Sequence, residues 1–154
     1  MRAAPVKIRN LMPLAGWIFM SIWMSFLFLM TWVFLRDGGF GQFSQPVETG
    51  VVLLFWVFGA AGSAHAFKPP LVHATIAHDD ITVHQTWPWK TETERFRPND
   101  IEPPAIHTSK DSDSDNFFRL VLTTPKGLEV TLSESNDRDR IETLHNQVMA
   151  HFRR

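Results

Sequence analysis

The chain of 154 residues has no cysteine, which excludes disulfides, thiol redox chemistry and cysteine-ligated zinc or iron–sulfur centres. It has no excess of charge of either sign: the formal net charge is −1, so the electrostatic footprint of a nucleic-acid binder is missing. Charge is also missing locally. Residues 11–35 hold no ionisable side chain, and 20 of those 25 residues are hydrophobic. The mean hydropathy of −0.10 therefore averages two unlike parts. Residues 67–154 carry 11 Lys/Arg against 14 Asp/Glu, a net of −3, and are long enough for one small domain.

The first apolar run, Leu11 to Leu35, ends at Arg36-Asp37. As a helix it spans roughly 36 Å, enough for a bilayer core with some tilt. Pro13 falls in its first turn, where a missing N–H costs little. The second run, Gly50 to Phe67, spans about 27 Å. Trp17 and Trp32 suit the two interfaces of the first span, whereas Trp23 sits mid-span as a packing residue. Ser21 and Ser25 share a face and are expected either to bond across helices or to bond their own i−4 carbonyls. Gly59, Gly62 and Ser63 let another helix approach closely. That helix is either a partner subunit's or the first span of the same chain. Neither span contains Asp, Glu, Lys or Arg, which argues against an ion pathway or proton relay.

The first run is too long for a cleaved signal, and the small-residue pattern Ala64-His65-Ala66 falls after the second span. Arg2, Lys7 and Arg9 precede the first span without an acid, whereas the connecting loop sets Arg36 against Asp37 and Glu48. The positive-inside rule thus expects residues 1–10 to be a cytoplasmic tail, with the C-terminal part also cytoplasmic. The inner (cytoplasmic) membrane is the expected location. The Ala64-His65-Ala66 pattern would then be out of a signal peptidase's reach.

Lys68-Pro69-Pro70 breaks the second helix. Leu71–His78 and Ile81–Trp87, separated by Asp79-Asp80, predict a hairpin that pairs Ile76 with Val83 and Val72 with Trp87. Its apolar residues share one face; His73, Thr75, Thr82, His84 and Thr86 share the other, with His73 and His84 diagonal. A third strand is expected over Thr91–Arg97 with Phe96 inward, then a turn at Pro98–Ile101. Asp111–Asp115 shares the D-x-D-x-D opening of a calcium loop but lacks its glycine and terminal glutamate, having Asn116 and Leu122 there; a solvated hairpin tip is the expectation. Phe117–Thr123 and Leu128–Leu132 predict a hairpin through Pro125-Lys126-Gly127, with a bulge that pairs Leu122 with Val130 and Leu120 with Leu132. This register turns all five leucine and valine positions of the pattern toward the core. A terminal helix follows, capped by Ser135 or Asn136, with Ile141, Leu144, Val148 and Phe152 as its apolar stripe.

The hairpin Ile81–Trp87, the segment Glu94–Ile101, the hairpin Leu120–Leu132 and the helix Arg138–Phe152 together resemble the small bacterial membrane proteins in which a helical hairpin precedes a pleckstrin-homology-like domain. The resemblance implies an α+β soluble domain over residues 68–154, an antiparallel sheet or partial barrel closed by one C-terminal helix. It also implies a membrane-tethered interaction role. The Pro- and Asp-rich segment 102–115 departs from that layout. No phosphate loop, metalloprotease motif or nucleophile elbow is present. The expected function is a non-catalytic accessory, scaffold or assembly subunit of an inner-membrane complex. Its partners would be the bilayer and other integral membrane subunits, and it would need no cofactor. Trp17, Ser21, Trp23, Gly59, Gly62, Ser63, Trp87 and Trp89 are the candidate partner contacts. One alternative is a lipid or small-ligand sensor, with Lys90, Arg95 and Arg97 beside Trp87 and Trp89 but interleaved by Glu92 and Glu94. Another is a metal or haem carrier using His65, His73, His78 and His84.

Overall fold

A computed structural model describes residues 4–110 and 116–152. The Asp111–Asp115 segment lies outside them. The chain forms two compact units: Pro13–Pro69, and Met1–Met12 together with Pro70–Arg154.

The first unit is a hairpin of α1 (Met12–Asp37) and α2 (Gln45–Ala66). Both helices are long and apolar enough to cross a membrane. The second begins five residues earlier than the apolar run. Pro46 stands at its start and Glu48 in its first turn, and both residue types favour a helix N-terminus. Glu48 is 5% exposed. Its carboxylate accepts the N–H groups of Phe40, Gln42 and Phe43 at 2.7, 2.8 and 3.0 Å, closing the loop between the helices. Gly39 lies against that carboxylate at φ +131°, where an added Cβ would meet Glu48 Oε2 at 2.7 Å. The helices lock by Trp56 Nε1–H donating to Thr31 Oγ1 at 2.9 Å and by the Phe28–Trp56 ring contact at 4.8 Å.

Among the described residues the second unit holds seven strands and one long helix. Strands β1 (Val6–Asn10), β2 (Leu71–Ile76), β3 (Ile81–Trp87) and β4 (Lys90–Phe96) form an antiparallel sheet in that order. Strands β5 (Ala105–Lys110), β6 (Asn116–Thr123) and β7 (Glu129–Ser135) form a second one, and α3 (Arg138–Phe152) packs on it. The core between the sheets comprises Ile8, Val72, Ala74, Ile76, Ile81, Val83 and Phe96 from the first. Phe118, Leu120, Leu122, Val130 and Leu132 come from the second, and Ile141 and Val148 from α3.

Four points differ from or complete the sequence reading. Residues Val6–Asn10, read as a tail, are strand β1, pairing Val6 with Ile76 and Asn10 with Val72. The helical hairpin is therefore an insertion between two neighbouring strands. Second, a strand at Ala105–Lys110 fills the Pro-rich middle and pairs with β6. Third, the two sheets do not close into a barrel: among the described residues no ladder joins them. Asn10 bridges there instead, its Nδ2–H donating to Thr131 O and Glu134 Oε1, each at 3.3 Å. Fourth, α3 is capped by Asp137, whose Oδ1 accepts the N–H groups of Asp139 and Arg140 at 3.0 and 3.3 Å. Ser135 Oγ accepts the Asp137 N–H, so it supports the cap.

Registers shift less than element counts. The β2–β3 turn centres on His78-Asp79, one residue before the expected Asp79-Asp80, with the Ala77 N–H donating to Asp80 O at 2.9 Å, so Ile76 meets Ile81 and Ala74 meets Val83. A slip of two keeps every side chain on its expected face. At β6–β7, Gly127 adopts φ +77°, its N–H donates to Thr124 O at 2.8 Å, and Leu122 pairs with Val130. The register then jumps, setting Leu120 opposite Ser133. Leu128 is 55% exposed, so it does not join the inward leucine and valine positions; it belongs to the turn and not to the paired strand.

If β1 belongs to the core, Ile8→Ala removes a buried side chain and is expected to destabilise the sheet unit by about 2–4 kcal/mol. The midpoint of urea denaturation of the full chain in detergent measures this. An unchanged midpoint would return residues 1–10 to the status of a tail.

Candidate functional site

The small residues of α2 face α1 of the same hairpin. A Cβ on Gly59 would meet Leu27 Cδ1 at 2.8 Å and Met24 Sδ at 3.0 Å, and one on Gly62 would meet Met20 Cε at 3.0 Å. Trp23 packs on Phe55 at 6.0 Å and borders an apolar groove of about 180 Å³ with Phe26, Met30, Val51 and Val52. Ser25 bonds its own i−4 carbonyl, Ser21 O, at 2.8 Å, while Ser21 is exposed. Trp17 contacts Phe67 at 6.4 Å. Trp17 Nε1 and Ser63 Oγ are buried without hydrogen-bond partners. The close-approach stripe is thus used within the chain, which is the second of its two sequence readings.

In the sheet unit Trp87 lies under Lys90 Nζ at 4.3 Å, and Trp89 is 65% exposed at the β3–β4 turn. The basic residues of β4 are already engaged. Lys90 Nζ bonds Glu92 at 2.8 Å, and Arg95 Nε bonds Asp80 at 2.7 Å. That second pair holds the Asp80 carboxyl below and the Arg95 guanidinium above their ordinary values. Arg97 lies elsewhere, beside His78, Asp79, Asn99 and His151 around a separate depression. Among the described residues no three His, Asp or Glu side chains come together in a metal-binding group, so His65, His73, His78 and His84 do not form one.

What the fold does assemble is a cationic face on the four-stranded sheet, opposite the core. Register places Arg9, His73, His84 and Thr93 in one cross-strand row. The next row is Lys7, Thr75, Thr82 and Arg95. His73 and His84 are directly opposite, ring centroids 6.4 Å apart, where a turn at Asp79-Asp80 would set them diagonal. His84 Nδ1 lies 2.8 Å from Thr93 Oγ1, which leaves Nε2 for another partner. The paired strand segments put no carboxylate on this face. Glu92 and Glu94 alternate to the other side, and Glu94 pairs with Lys126 at 2.7 Å. Burial, then Arg9, His84 and Lys7 push the His73 imidazole below its ordinary value. The sequence reading missed Lys7 and Arg9 as members of this face. The available signal is the period-two alternation Val6-Lys7-Ile8-Arg9.

No protein-family model, curated protein or solved structure matches the chain.

A depressed His73 means that the folded protein favours the neutral ring while the unfolded chain takes up a proton near pH 6.5. The stability this confers is present above that value and is lost as pH falls toward the folded midpoint. Histidine-selective NMR is expected to show His73 titrating below 6.5. Arg9→Gln should move it part of the way back up, and an unmoved midpoint would separate Arg9 from this face.

Proposed function

We propose that the chain is a non-catalytic accessory or scaffold subunit of a bacterial inner-membrane assembly, holding a small pleckstrin-homology-like domain at the cytoplasmic surface. The observation that carries the reading is the pairing of β1 with β2 around the helical hairpin. The segments that enter and leave the hairpin are hydrogen-bonded to each other, so a hairpin that crosses the bilayer has both its open ends on one side. The domain is tethered to that side by two covalent links. Two antiparallel sheets with a C-terminal helix agree with the resemblance at the level of layout, while the insertion after β1 departs from it. Lys7 and Arg9 before the first span, against Asp37 and Glu48 beside Arg36 in the loop, favour a cytoplasmic side.

The hairpin presents Phe19, Ile22, Phe26, Phe28 and Phe58 outward, each more than half exposed. Such a surface suits lipid tails or the spans of other subunits. At the other end of the chain's chemistry, Trp89 offers an exposed aromatic contact beside Pro88.

The lack of native cysteine makes orientation directly measurable. With single substitutions Gln42→Cys and Asn99→Cys, an impermeant thiol reagent added to intact spheroplasts is expected to label the first and spare the second. The opposite pattern overturns the cytoplasmic assignment. Mild-detergent extraction from native membranes is expected to recover the chain with other integral membrane proteins in fixed ratio; recovery of free monomer alone overturns the accessory role.

A further inference from the structure

We propose that the outer face of the four-stranded sheet, where Lys7 and Arg9 of β1 stand beside His73 and His84, binds the phosphate groups of anionic lipids in the membrane that anchors the chain. The inference rests on the hairpin crossing a bilayer and is independent of the accessory role.

Three observations converge. The face gathers two exposed cations and two imidazoles without a carboxylate among its paired strand positions. The third strand-borne cation, Arg95, is tied to Asp80 at the far end of the row. Thr75 lies in the Lys7 row between Lys7 and Thr82 and supplies a hydroxyl donor of the kind that completes phosphate sites, while Thr82 Oγ1 is committed to Asp80 at 3.2 Å and Thr93 Oγ1 to His84 at 2.8 Å. Chain connectivity supplies the source of the anion. Arg9 lies three residues before Met12, the first residue of α1, so the linking chain reaches at most about 11 Å. An anionic headgroup at the interface is thus within reach of the Arg9 guanidinium. The net charge of the unit conceals this, since its 13 Lys/Arg and 14 Asp/Glu are segregated by strand parity and position.

Proton linkage gives the face a signature. The groups facing His73 are Arg9 and Lys7 on β1 and His84 on β3. All are cationic or become so, and each disfavours its protonation. A bound phosphate reverses that sign, so binding takes up protons and strengthens as pH falls below about 6.5.

The test uses the full chain in nanodiscs of zwitterionic lipid, with and without one-third phosphatidylglycerol, and reads the titration of each histidine by selective NMR. The His73 and His84 midpoints are expected to rise by about one unit in the anionic discs, with His107 of β5 unmoved. The rise should largely disappear in the double variant Lys7→Gln/Arg9→Gln. A uniform rise of all three histidines would mean surface potential alone and overturn the proposal, as would no rise. Inorganic phosphate added to zwitterionic discs is the second arm. If it reproduces the rise, the face takes a free anion and the lipid assignment falls. A full rise retained in the double variant removes Lys7 and Arg9 from the site.

Discussion

Five residues ahead of the first apolar helix hydrogen-bond to the strand that follows the second, and the architecture depends on that ladder. Asn10 pairs with Val72 and Val6 with Ile76, contacts separated by more than sixty residues of chain. Closing so long a loop carries an entropic cost that grows with its length. The antiparallel helices α1 and α2 reduce it, because once they pack they return the chain to where it left. Packing of the hairpin thereby lowers the cost of pairing β1 with β2. The sheet in turn holds the open ends of the hairpin together.

Buried polar groups sit at the joints of this arrangement. Glu48 collects three backbone N–H groups of the loop between the helices. Asn10 accepts the Met12 N–H at 3.1 Å, serving the first turn of α1, while its amide reaches β7. His151, 4% exposed, lies 3.2 Å from Gln147 O through Nδ1 and 3.0 Å from Ala4 O through Nε2. It thereby ties the end of α3 to the segment preceding β1. Each of these groups would be costly if left unpaired in the interior, and each is satisfied by backbone from another element.

Charge follows the same logic of parity. Alternation along β1 sends Val6 and Ile8 inward and Lys7 and Arg9 outward. On β2 and β3 it sends Ala74 and Val83 inward while His73 and His84 pair on the outer side. The acids of β4 occupy the opposite parity. A chain with almost no net charge acquires in this way a face of one sign. That face owes its composition to register, which average composition does not report.

Hydrophobic periodicity in the sequence was sufficient for two long apolar helices, the β2–β3 and β6–β7 hairpins with correct faces, the inward Phe96 and the amphipathic α3. These follow from local patterns of period 2 or 3.6. A turn glycine at 127 likewise announces itself through its neighbours. The strand at Ala105–Lys110 did not, since its pattern is short and follows two prolines. Only tertiary structure decided that Val6–Asn10 is a strand. Five residues carry little periodic signal, and their partner lies across the whole hairpin. The cationic face was equally illegible, because Arg9 and His73 become neighbours through a ladder and through nothing in their sequence positions. Local pattern specifies which way a side chain points; long-range pairing specifies what stands beside it.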